Sequence, residues 1–129
     1  MSYVTDAHPL IWHLLHSKRL SAKAAAIFNT ADAGQDVIYI PTIVLGELMH
    51  IAEAALIPLK FSDVLKQIKS GDNYVTIPLD LPIIEAAAEI SARLEMYDRL
   101  IVATAKVLNA SLITRDEAMT AAGIVLVVW

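Results

Sequence analysis

An α/β fold built on a mainly parallel sheet is what this sequence predicts, and three observations carry the prediction. Short apolar runs alternate with longer stretches of helical periodicity along the whole chain. The final run, "IVLVV" at 124–128, is apolar without a break, as strands buried on both faces are. No repeat, low-complexity tract or linker interrupts the 129 residues, and Pro and Gly number only five and four. One domain spanning 1–129, large enough for a real core, is therefore expected.

"YVTD" at 3–6 reads as the first strand. Helical patterns follow at 8–16 and at 21–31, where Ser21 is a good N-cap. "DVIYIP" at 36–41 is β-branched and aromatic and closes on Pro41, so it is the second strand. Residues 42–55 have Thr42 as N-cap and apolar residues at helical spacing. Another helix covers 61–70, with Ser62 as a cap and Gly71 as a stop. The third strand is "YVTIPL" at 74–79, followed by an alanine-rich helix at 81–95 with Pro82 in its first turn. A helix at 98–109 leads into the fourth strand, 111–114. A short helix within 116–123, ended by Gly123, precedes the fifth strand at 124–129. Right-handed crossovers between parallel strands place helices on both faces of the sheet.

Composition narrows the function. The chain is 57% hydrophobic and 19% charged, with mean hydropathy +0.56, above a typical soluble domain. No apolar run reaches the roughly 18 residues of a membrane span. The apolar surplus points to a buried sheet, a subunit interface, or both. The first residues include Asp6 and His8 and lack a basic region, unlike a signal peptide. With no cysteine, disulfides and thiolate metal sites are excluded, and a cytoplasmic setting is expected. A net charge of −4 argues against nucleic-acid binding through bulk positive charge, although divalent cations would offset acidic charge locally.

Ligands of open α/β sheets sit at the carboxyl ends of the strands, near a topological switch. Asp6 follows the first strand, and Thr114, Arg115 and Asp116 follow the fourth. Asp98 opens the helix that leads into the fourth strand, and Glu47 lies in the second turn of the helix after the second. Four carboxylates can thus converge at one end of the sheet. Gathered carboxylates stay ionised together only when cations neutralise them. Oxygen-only ligands suit Mg²⁺ or Mn²⁺ rather than zinc. Such an ion lowers the pKa of an attacking water and stabilises charge on a phosphoryl group, which fits phosphodiester hydrolysis. Arg99 or Arg115 could contact a backbone phosphate, and Thr114 could orient a water or a carboxylate.

Each of these residues also has a plainer reading. Asp98 and Asp116 are both placed to cap helices, where the macrodipole favours a carboxylate. Glu47 is harder to explain away, as the only charge between Val37 and Met49 on an apolar helix. Other chemistries find less support. His8, His13, His16 and His50 form no HExxH, and His13 and His16 read as helix-surface residues. GxxxxGK[ST], GxGxxG and GxSxG do not occur. Trp12 and Trp129 read as core or interface, since base stacking would need a patch around them.

The order "VTDAHPLIWHL", "IPTIVLGELMHIAEA", "YDRLIVATAKVLNASLITRDEAM" and a closing "VLVVW" resembles PIN-domain proteins, above all the VapC-type toxins of toxin–antitoxin pairs. The resemblance runs over essentially the whole chain. It implies a flavodoxin-like three-layer sandwich with strand order 3-2-1-4-5. It also implies an endoribonuclease that uses Mg²⁺ or Mn²⁺ to cleave RNA such as tRNA or rRNA. Carried over, Asp6, Glu47, Asp98 and Asp116 are the metal-binding and catalytic acids, and Thr114 is the supporting hydroxyl. A homodimer and a small antitoxin that silences the site are the implied partners. Many relatives read "HxDPxDR" where this chain has "ARLEMYDR", so Glu95 and Met96 replace an Asp and a Pro, and no His precedes them. Gly46 stands where many relatives carry Trp. On this reading Asp98 caps its helix and faces the metal, while Arg99 pairs with a carboxylate or meets the RNA phosphate. Two other readings compete: a non-catalytic scaffold of the same fold, and a receiver-type signalling domain with Asp80 as phosphoacceptor.

Overall fold

The computed structural model describes residues 1–90 and 93–129. Five strands form one sheet: β1 (Ser2–Thr5), β2 (Val37–Pro41), β3 (Tyr74–Ile77), β4 (Ser111–Ile113) and β5 (Val127–Val128). Their order is β3-β2-β1-β4-β5, and every neighbouring pair is parallel. β1 is central, with Tyr3 opposite Ile38 on one side and Val4 opposite Leu112 on the other. Val4, Ile38, Ile40, Leu112 and Ile113 are wholly buried, which is why these strands read as unbroken apolar runs.

Seven helices are described: α1 (Ala7–Leu14), α2 (Ala22–Asp32), α3 (Thr42–Glu53), α4 (Phe61–Ser70), α5 (Leu81–Ala88), α6 (Met96–Val107) and α7 (Glu117–Ala122). α1 to α4 pack on one another, as do α5 and α6. This grouping fits right-handed crossovers that reverse direction between β3 and β4. The reversal puts the topological switch between β1 and β4.

Several sequence expectations shift. Ser21 caps α2 by accepting from the Ala24 N–H at 3.1 Å, as expected. Thr42 and Ser62 do not cap: each lies inside its helix, behind Pro41 and Lys60. α5 ends at Ala88 instead of continuing to 95, and residues 91–92 of the expected helix lie outside those described. α6 begins two residues earlier than expected, so Asp98 is its third residue and not its cap. α1 stops at Leu14, and His16 takes a positive φ of 53°. β5 pairs over two residues only. α7 ends at Gly123, whose φ of 63° is costly for residues with a Cβ.

Candidate metal and nuclease site

The carboxyl edge of β1 and β4 carries the first two acids. Asp6 follows β1 directly and caps α1, its Oδ1 accepting from the Ala7 N–H at 2.8 Å. Its Oδ2 accepts from the Thr114 hydroxyl at 2.8 Å. Thr114 is fully buried just past β4, and its Oγ1 also accepts from the Asp116 N–H at 3.0 Å. One hydroxyl therefore joins the ends of two adjacent parallel strands to the start of α7. Asp116 caps α7, with Oδ1 accepting from the Met119 N–H at 2.8 Å. Each engaged oxygen keeps a second lone pair, so capping leaves both carboxylates able to hold a cation.

Glu47 and Asp98 approach from α3 and α6. Burial pushes the Glu47 carboxyl up, Asp6 adds to the rise, and His8 opposes it. Asp98 is raised to about 6 by burial first, then by Asp116, Asp6, Glu95 and Glu47. Asp98 thus lies within the field of all three other candidate acids. Among the described residues, no three His, Asp or Glu side chains are gathered tightly enough to hold one metal ion. The donor set is nevertheless oxygen-only and half-buried, and it suits a hard divalent ion.

The arginines separate. Arg99 donates from Nη2 to the Ala87 carbonyl at 2.9 Å, and its Nε is buried with no partner among the described residues. It ties α6 to α5, and among the described residues it makes no ion pair with a carboxylate. Arg115 is exposed between Thr114 and Asp116, with its guanidinium carbon 5.9 Å from the centre of the Trp12 ring. Asp80, the acid of the receiver reading, caps α5 by accepting from the Ile83 N–H at 3.3 Å, beyond the edge strand β3. His13 is not a surface residue. It stacks on Phe28 with ring centres 4.5 Å apart and meets Asp32 at 3.0 Å, and its burial pulls its pKa down.

Two features were not legible from single residues. Glu95 adds to the field on Asp98, and His8 lies within the field of Glu47. His8 stands two residues after Asp6, which was the one signal in the sequence.

A parallel sheet with carboxylates at the switch between its first and fourth strands defines a class of α/β domains with an acidic edge. Within that class the PIN domain family model matches residues 3–124, and the chain belongs to that family. No curated protein matches it. Among solved structures it is similar to DNA-bound VapBC from Salmonella typhimurium, with TM-score 0.75, 17% identity, and 99% of this chain and 97% of that one covered. VapBC2 from Rickettsia felis, bound to a DNA fragment from its promoter, gives TM-score 0.72 at 16% identity, with 99% and 98% covered. A toxin–antitoxin complex from Klebsiella pneumoniae gives 0.69 at 23%, with 98% and 96% covered.

Proposed function

We propose that this chain is a Mg²⁺- or Mn²⁺-dependent endoribonuclease and the toxin of a type II toxin–antitoxin pair. What supports the reading is that Asp6 and Asp116, joined through Thr114, stand at the β1/β4 switch of a PIN fold, with Glu47 and Asp98 within their field. These four would hold the divalent ion, which when bound supplies a more acidic water and charge stabilisation at a phosphoryl group. Thr114 fixes the Asp6 carboxylate through its hydroxyl and the start of α7 through its lone pair, so the two strand-end acids keep their spacing. Arg115, exposed beside them, is the cation placed to meet a substrate phosphate. A cognate antitoxin is the proposed protein partner, in line with the named VapBC and toxin–antitoxin complexes. No described helix is long and apolar enough to cross a membrane. One domain over 1–129, working in the cytoplasm as a homodimer, completes the proposal.

The loose spacing of the acids favours one other reading, a PIN-fold binding module without catalysis. A mixed tRNA and rRNA pool, incubated with and without Mn²⁺ beside the Asp6→Asn protein, separates the two. Metal-dependent cuts that fall at least about 100-fold in the variant are expected, the scale of losing an essential charge-stabilising group. A metal-induced rise in melting temperature with no cut in any RNA would establish the binding module. Equal cuts by both proteins would remove Asp6 from the site.

A further inference from the structure

Four side chains outside the carboxylate set gather on its rim. His8 and Trp12 lie one turn apart on α1, with ring centres 5.7 Å apart and planes tilted by 51°. Trp129, just past β5, lies 5.8 Å from Trp12 at 59°. Arg115 stands 5.9 Å from the Trp12 ring centre, within cation–π range. The cluster interleaves with the acids along the chain: His8 is two residues past Asp6, and Arg115 sits between Thr114 and Asp116. None of these ring pairs is stacked face to face, His8 and Arg115 are exposed, and both tryptophans are half-buried. His8 and Trp12 also line a cleft of 480 Å³ that runs along the loop after α3, with Arg19 beside it. That volume falls in the range of small-ligand clefts, roughly 300–1,000 Å³.

Aromatic faces beside a guanidinium are how unpaired nucleic acid is held: bases stack on the rings and the cation takes the phosphate. This chain needs such a device, because its net charge of −4 repels a polyanion. Of its four arginines, Arg115 stands over Trp12 and Arg19 lines the cleft that His8 and Trp12 share. An apolar side chain of a protein partner would also fit the cleft, but it would have no use for the arginine over Trp12 or for closeness to the acids.

We propose that His8, Trp12, Trp129 and Arg115 form a nucleobase seat that holds an unpaired base of single-stranded RNA next to the phosphate presented to the carboxylates. The seat rests on the nuclease reading for its purpose, yet its test does not depend on cleavage. Both tryptophans of the chain belong to it, so intrinsic fluorescence reads the seat alone. The full chain is titrated in EDTA with a short mixed-sequence single-stranded RNA, and separately with an abasic phosphodiester chain of equal length. The RNA should quench the emission saturably and bind at least about fivefold tighter than the abasic chain, the low end of base–aromatic stacking. Trp12→Leu should abolish that preference, Trp12→Phe should keep most of it, and Arg115→Gln should weaken both ligands while the protein stays folded. Equal affinity for the two chains, or emission untouched by RNA, overturns the seat. Emission that responds only to an apolar helical peptide overturns it in favour of a protein-docking face. Cleavage by wild type and Trp12→Leu with equal KM would remove the seat and leave the nuclease; base-dependent quenching with no cleavage anywhere would do the reverse.

Discussion

Asp98 carries the largest electrostatic burden of any residue at the edge. Its folded pKa of about 6, against an ordinary 3.8, means that the folded protein holds this proton more tightly than the unfolded chain does. Stability should therefore be greatest below about pH 4 as far as this group is concerned, and should fall as the pH rises to about 6. Asp98→Asn removes the charge and keeps the shape. The variant should melt higher than wild type at pH 7.5 in EDTA, gain less from added Mn²⁺, and cleave no RNA. A lower metal-free melting temperature would show that Asp98 is held by attraction and not repulsion. Thr114 has the opposite character, since it is buried and fully used. Thr114→Val removes its donation to Asp6 and strands the Asp116 N–H, so urea denaturation should show a loss of about 2 kcal/mol, with Thr114→Ser recovering most of it. Neither role could be read from one position. "TRD" displays a threonine and an acid, but the partner of that threonine lies 108 residues away.

At the scale of elements, one residue does two jobs. Asp116 caps α7 with one oxygen and faces the other acids with its charge. Asp116→Asn should keep the cap and the stability while losing metal-dependent cleavage, whereas Asp116→Ala should lose the cap as well, at about 1 kcal/mol in chemical denaturation. Equal stability of the two variants would show that the cap contributes nothing. Arg99 fastens α6 to α5 through the Ala87 carbonyl. Arg99→Met should cost about 1–2 kcal/mol in the same assay and leave single-stranded RNA affinity unchanged. The sequence places most elements well because caps and periodicity are local properties. Ser21, Asp116 and Gly123 mark helix ends wherever the rest of the chain goes. It misses the start of α6 because Glu95 makes no side-chain cap bond, so nothing in "LEMYD" announces the turn. It overextends α5 because alanine favours helix on both sides of the true end.

For the molecule as a whole, a cation held at the acid edge, as proposed, would be coupled to folding. Added Mg²⁺ should raise the melting temperature more at pH 7.5 than at pH 5, because only ionised carboxylates compete for the ion and repel without it. A metal effect independent of pH would place the ion elsewhere. Leu81, Ile84, Met96 and Tyr97 leave apolar side chains exposed on α5 and on the start of α6, and there the apolar surplus is visible. If this surface is the proposed dimer contact, light scattering should give twice the 14.1 kDa chain mass, and Ile84→Glu should return the monomer.

By itself the sequence determined the class of fold and the order of its elements, and it put forward four acids as the candidate site. Strand and helix periods, caps and apolar runs are written in neighbouring residues, and the rule that ligands meet at carboxyl strand ends needs only their order. The tertiary structure decided which side chains meet. It joined Asp6 to Asp116 through Thr114, tied Arg99 to the Ala87 carbonyl, stacked His13 on Phe28, and brought Trp129 and Arg115 to Trp12. Those outcomes depend on strand order and crossover hand, which place residues more than a hundred positions apart within hydrogen-bond distance. No local pattern encodes such a meeting, because the free energy that enforces it belongs to the packed sheet and not to the segment.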